Sequence, residues 1–111
     1  MPIFISQGRY SRDAIKGLVA KPEDRGELVT KVIEAAGGKL LAYYVTFGEY
    51  DWLTVSEFPD HQGISTVMLA AAAGGGITDM KTTLAMTGAE AKAIFAATGK
   101  VTSVYRAPGA G

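Results

Sequence analysis

The 111-residue chain contains no cysteine and no asparagine. The first absence removes disulfides and thiolate metal sites, and the second removes any acceptor for N-glycosylation. Histidine occurs once, at His61, so a metal centre would need carboxylates to complete it. No charge sign dominates: eleven basic residues balance eleven acidic ones. The basic side chains are scattered, so the electrostatic footprint of a nucleic-acid binder is missing. Long apolar runs are missing too. The stretch Val67 to Ala73 falls far short of the ~20 residues a membrane span needs. Met1 to Ile5 meets the polar pair Ser6-Gln7 at once, unlike a signal peptide. The expectation is a cytoplasmic protein without membrane or nucleic-acid partners, metal or cofactor.

What is present is the balance of a globular domain, 48% hydrophobic and 20% charged. The length fits one domain, taken as residues 1–106, with a flexible tail over 107–111. Ile3 to Gly8 reads as a strand. Ser11 is placed to cap a helix carrying Ala14, Ile15, Leu18 and Val19, which Pro22 interrupts. A second helical stripe, Leu28, Val32, Ile33 and Ala36, stops at Gly37-Gly38. Leu40 to Phe47 and Asp51 to Phe58 read as strands joined through a tight turn at Gly48-Glu49-Tyr50. Asp60 is placed to cap a helix carrying Ile64, Val67, Met68, Ala71 and Ala72, and Gly74-Gly75-Gly76 ends it. Ile77 to Met86 reads as the fourth strand. Thr87 and Glu90 have capping-box spacing before a last helix. Val101 to Tyr105 reads as a short strand or an extended arm. The fold class is therefore α+β: a ferredoxin-like β-α-β-β-α-β unit with a four-stranded antiparallel sheet, plus a C-terminal helix.

A sheet covered by helices on one face and wetted on the other should alternate apolar and polar residues. These strands do not. Strict alternation places Leu41, Tyr43, Val45 and Phe47 on one face of the second strand, and Leu40, Ala42 and Tyr44 on the other. In the third strand Leu53 and Val55 oppose Trp52, Thr54 and Phe58; in the first, Ile3 and Ile5 oppose Phe4. Both faces need cover, and the crossover helices supply only one. The C-terminal helix is thin cover, with Ile94 and Phe95 as its large apolar residues. A second copy, packed sheet to sheet as a dimeric α/β barrel, is the favoured alternative. Periodicity does not decide which face meets the helices.

The segment Tyr43 to Asp51, followed by Glu57-Phe58-Pro59-Asp60, resembles the GYD domain family, named for a Gly-x-Tyr-Asp turn, here Gly48, Tyr50 and Asp51. The resemblance runs from about Ile3 to about Phe95. It implies ferredoxin-like subunits that associate into homo-oligomers, and it implies no particular reaction.

Several side chains carry two readings. Gly48 would supply a positive φ and Asp51 would bind backbone amides; alternatively Tyr50 and Asp51 line a pocket as donor and base. Glu57, inside an apolar strand, is either solvated at the strand end or a proton shuttle in a dry cavity. His61, beside Asp60, is an exposed first-turn residue or a lone ligand. Tyr43, Tyr44, Trp52 and Phe58 form an aromatic group suited to a core or interface, or to a cavity for a small apolar or aromatic molecule. Two functions follow: an oligomeric small-molecule-binding or assembly module, or a cofactor-independent oxygenase or isomerase using Tyr50, Asp51 and Glu57 in a barrel cavity.

Overall fold

The computed structural model describes residues 1–110. Strands β1 (Ile3–Tyr10), β2 (Lys39–Val45), β3 (Trp52–Glu57) and β4 (Ile77–Ala85) form one sheet in the order β2-β3-β1-β4, with every neighbouring pair antiparallel. Helices α1 (Arg12–Ala20) and α2 (Gly26–Ala35) make the first crossover, and α3 (His61–Ala73) makes the second. Two further helices, α4 (Gly88–Ala97) and α5 (Gly99–Thr102), follow the sheet. The split βαβ order is the ferredoxin-like arrangement.

Local chemistry sets the helix boundaries. The Ser11 hydroxyl accepts from the Ala14 amide at 3.1 Å, and the Asp60 carboxylate accepts from the Gln62 amide at 2.9 Å. Thr87 and Glu90 close a full capping box, each accepting the other's backbone N–H. Helix α2 ends where Gly37 turns to φ +87°, and the Gly38 amide reaches back to the Ile33 carbonyl at 3.0 Å. That left-handed residue costs glycine no steric strain.

The core lies between the sheet and helices α2 and α3. Phe4, Ile33, Phe58, Ile64 and Val67 form it, with Val29, Ala36, Leu40 and Met68 packed around them. Phe58 is 0% exposed and meets Phe4 edge to face at 6.2 Å between ring centres. Its ring fills the space beside Gly38 and Gly63, where any added Cβ would collide with it.

Three details differ from the sequence reading. The first is a β-bulge. Leu40 opposes Ser56 and Ala42 opposes Val55, so Leu41 is an extra residue in β2. Strict alternation therefore fails there. Tyr43 and Val45 share the register of Thr54 and Trp52, together with Leu40, while Ala42 and Tyr44 share the other face. Second, Gly48 does not have positive φ; the positive-φ glycines are Gly37, Gly75 and Gly109. The β2–β3 connection is a longer loop, closed by the Thr46 amide on the Asp51 carbonyl at 2.8 Å. Third, Val101 begins no strand: Gly99–Thr102 is a helical turn, continued by Tyr105 N–H to the Val101 carbonyl at 3.0 Å. In the tail the Ala110 amide donates to the Ala107 carbonyl at 3.0 Å, and Gly111 lies outside the described residues.

Candidate functional site

Each strand of the sheet presents two rows, and burial settles their orientation. In β1, Phe4, Ser6 and Gly8 are buried while Ile3, Ile5 and Gln7 are only partly covered. In β3, Trp52, Thr54 and Ser56 are buried while Leu53, Val55 and Glu57 are partly covered. The buried rows face α2 and α3, because Phe4 packs on Ile33, Ile64 and Val67. The face turned away from the helices carries Ile3, Ile5, Leu53 and Val55. Ala42 and Tyr44 continue it through the pairs Ala42–Val55 and Tyr44–Leu53, and Ala85 continues it opposite Ile3. Tyr44 is 62% exposed there.

The contrast runs against ordinary expectation. The buried row under the helices holds three small hydroxyl residues, Ser6, Thr54 and Ser56. The open face holds Ile3, Ile5, Leu53 and Val55 at its centre, bordered by Gln7, Glu57, Lys81 and Thr83. Apolar area left in water costs about 25 cal/mol per Å², so these uncovered aliphatic side chains have free energy to gain from cover.

The helix side contains the cavities. One, of about 330 Å³, lies between α2, α3 and the sheet, with Val29, Val32, Val67 and Met68 on its walls and Trp52 and Thr54 at the sheet. The indole Nε1 of Trp52 and the Oγ1 of Thr54 are buried without hydrogen-bond partners, as is Ser56 Oγ. Ser6 fares better, sharing a hydrogen bond of 2.9 Å with Thr82 Oγ1. A second cavity of about 370 Å³, under α1, shares Arg25, Gly76 and Ile77 with the first and adds Tyr10 and Lys21. Arg25 itself is held by Glu23 at 2.8 Å.

A polar brace joins the second cavity, through Tyr10, to the Gly-x-Tyr-Asp segment. Tyr10 and Tyr43 share a hydrogen bond between their phenol oxygens at 3.0 Å. The Tyr10 amide donates to Asp51 Oδ2 at 2.9 Å, and the Asp51 amide donates to the Gly8 carbonyl at 2.8 Å. Burial, followed by the Tyr43 hydrogen bond, pushes the Tyr10 phenol well above its ordinary value. Asp51 thus ties the β2–β3 loop to the end of β1, which is its structural role.

The residues singled out from sequence do not converge. Asp51 precedes β3 and Glu57 ends it. The strand rises about 3.3 Å per residue, so their backbones lie about 20 Å apart. Within one chain they cannot serve one reacting atom. Tyr50 is half-buried, and its carbonyl accepts from Thr46 Oγ1 at 2.7 Å. Glu57 is half-buried in the row of the open face, opposite Ile3 and Lys39. His61 is exposed at the start of α3, and among the described residues no three His, Cys, Asp or Glu side chains form a metal-sized group. The aromatic group divides: Phe58 and Trp52 are buried on the helix side, Tyr43 is half-buried in the brace, and Tyr44 stands on the open face. Sequence reasoning missed Tyr10 as Tyr43's partner and Arg25 as the residue between the cavities. Arg25 lies in the connection between α1 and α2, and Tyr10 ends β1 beyond the register shift after Gln7, so periodicity gives neither an orientation.

The model of the GYD domain matches residues 4–95. The chain belongs to the GYD domain family. A Thermus thermophilus relative, 30% identical over 80 residues, spans 72% of this chain and 84% of its own length; it is called "Glutamine synthetase and cystathionine beta-lyase binding protein". Two solved structures are similar. The protein TTHA0845 of Thermus thermophilus has a TM-score of 0.51 at 16% identity, covering 79% of this GYD chain and 96% of that one. A hypothetical protein of Pyrococcus horikoshii has a TM-score of 0.46 at 17% identity, covering 78% and 92%. The likeness to TTHA0845 supports the same α+β fold. In this GYD domain, no helix among the described residues is long and apolar enough to cross a membrane.

Proposed function

We propose that this GYD domain is a homo-oligomeric binding module whose open sheet face is closed by the same face of a second copy. The observation that carries this reading is the inversion of the two faces. Aliphatic side chains stand on the uncovered side, while serines and threonine sit beneath the helices. Sheets packed face to face lie about 10 Å apart, which interdigitating Ile5, Leu53 and Val55 side chains can fill. The assembled pair then has a role in binding other proteins, as the name of the Thermus relative suggests for that protein. Analytical ultracentrifugation at micromolar concentration tests the pairing: a mass of at least two chains is expected, and a stable monomer ends the proposal. Titration of purified glutamine synthetase with the pair tests the protein-binding half.

A second reading concerns a small apolar or aromatic ligand. It rests on Trp52 and Thr54, which bound an apolar cavity and leave two polar atoms unpartnered. Trp52 is the sole tryptophan, so its emission reports on the cavity directly. Titration with phenylbutyrate is expected to shift that emission saturably; an unsaturable, linear response removes the ligand. The oxygenase or isomerase reading draws less support, because Asp51 and Glu57 lie at opposite ends of β3.

A further inference from the structure

The segment after β4 does not behave like part of the body. Helices α4 and α5 follow one another through Thr98, whose backbone stays helical, and make no broad contact with the sheet or with α1, α2 and α3. From Thr87 to Ala110 every residue except Ala91 is exposed. Ile94, Phe95, Val101, Val104 and Tyr105 all stand open, Phe95 at 75% and Val104 at 77%. The described chain is 62 Å long against 31 and 23 Å across, and its radius of gyration is 18.1 Å. A compact domain of about this length has a radius near 13 Å.

Such an arm is physically incomplete. Helix α4 has ten residues and α5 adds four, and most of a helix's stability in a protein comes from packing its apolar face. Its capping box shows that its start is specified, yet its apolar side chains have nothing to pack on. The arm is also rooted beside the open face: Ala85, the last residue of β4, lies opposite Ile3 on that face.

The open face alone is a small interface. Four strands at about 4.8 Å spacing and some six residues at about 3.3 Å give on the order of 400 Å² in plan. A standard stable complex covers about 800 Å² on each partner. The face needs an adjoining apolar surface, and the arm is one.

We propose that residues Thr87 to Tyr105 form a swapped clasp, in which the arm of each copy packs on the body of the other next to the paired sheets. The occupant of the arm's apolar side is a second copy of this chain. Reciprocal arms satisfy two-fold symmetry, so both copies give and receive the same contact. This inference rests on face-to-face pairing and adds a second contact to it.

Because the chain lacks cysteine, a single introduced thiol is an unambiguous probe. Val101→Cys, labelled with a benzophenone maleimide and irradiated in the full-length protein, is expected to give a covalent dimer on a denaturing gel. Cross-linking only within one chain overturns the clasp. In parallel, a chain ending at Met86 is expected to pair at least tenfold more weakly in sedimentation while keeping the circular dichroism of its sheet. Equal affinity with and without the arm also overturns the clasp but leaves face pairing intact. A full-length protein that sediments as a monomer overturns the pairing itself. If truncation unfolds the body, the cross-linking result alone decides.

Discussion

The two faces of the sheet differ in a way their composition alone would misassign. Beneath the helices, β1 and β3 place Ser6, Thr54 and Ser56; on the open side they place Ile3, Ile5, Leu53 and Val55. A rule that sends the most apolar row inward would have put the helices on the wrong face. Phe4, Trp52 and Phe58 reverse the outcome, because large rings fill the space under α2 and α3 and small hydroxyl residues fit between them. Burial within a single chain thus reflects volume fitting on one side, while the other side keeps apolar area that the chain's own helices leave uncovered.

That comparison can be broken at its strongest point by Phe58→Ala. Removing a fully buried ring from the helix side is expected to cost about 3–5 kcal/mol, read as a large drop in the denaturant midpoint. On the open face, Val55→Lys is expected to leave the subunit folded but weaken pairing by about 100-fold, or ~2.8 kcal/mol, in sedimentation equilibrium. Equal damage from the two variants to monomer stability would erase the distinction between the faces. Thr54→Val sharpens it in the opposite direction. The hydroxyl has no partner, so a methyl group of the same shape is expected to stabilise the fold by about 1 kcal/mol. A loss of stability would mean that the hydroxyl is satisfied by a bound molecule.

The smallest effect concerns pH. The folded state holds the Tyr10 proton more tightly than the unfolded chain, whose phenols titrate near 10.0. The associated stability is complete below that pH and is lost as pH rises above it. Tyr10→Phe is expected to flatten the alkaline slope of the thermal midpoint, with little change at neutral pH.

Much of the architecture was legible because its signals are local. Ser11, Asp60 and the Thr87–Glu90 pair mark their helices through side-chain bonds made within three residues. Gly37 stops α2 through one backbone angle. The strand order follows from the sequence of elements. Face assignment was not legible, because it depends on partners distant in the chain. Leu40, Leu41 and Ala42 are all apolar, so nothing marks Leu41 as the surplus residue until Ser56 and Val55 are placed opposite. The turn motif misled for a related reason. Asp51 does accept a backbone amide, but from Tyr10, 41 residues earlier, and Gly48 needs no left-handed conformation.

The second irregularity of the sheet lies in β4, where Lys81 opposes Gln7 and Thr78 opposes Arg9, leaving one surplus residue near Asp79, whose φ is +53°. Like the surplus Leu41 of β2, it sits on a strand that ends the sheet. A regular outermost strand is a template on which further chains can add indefinitely, and a bulge interrupts its row of free amides and carbonyls. With both borders interrupted, growth by strand addition is discouraged in either direction. The proposed pairing uses the flat of the sheet instead, where two-fold contact closes after a finite number of subunits and does not run on as a fibril.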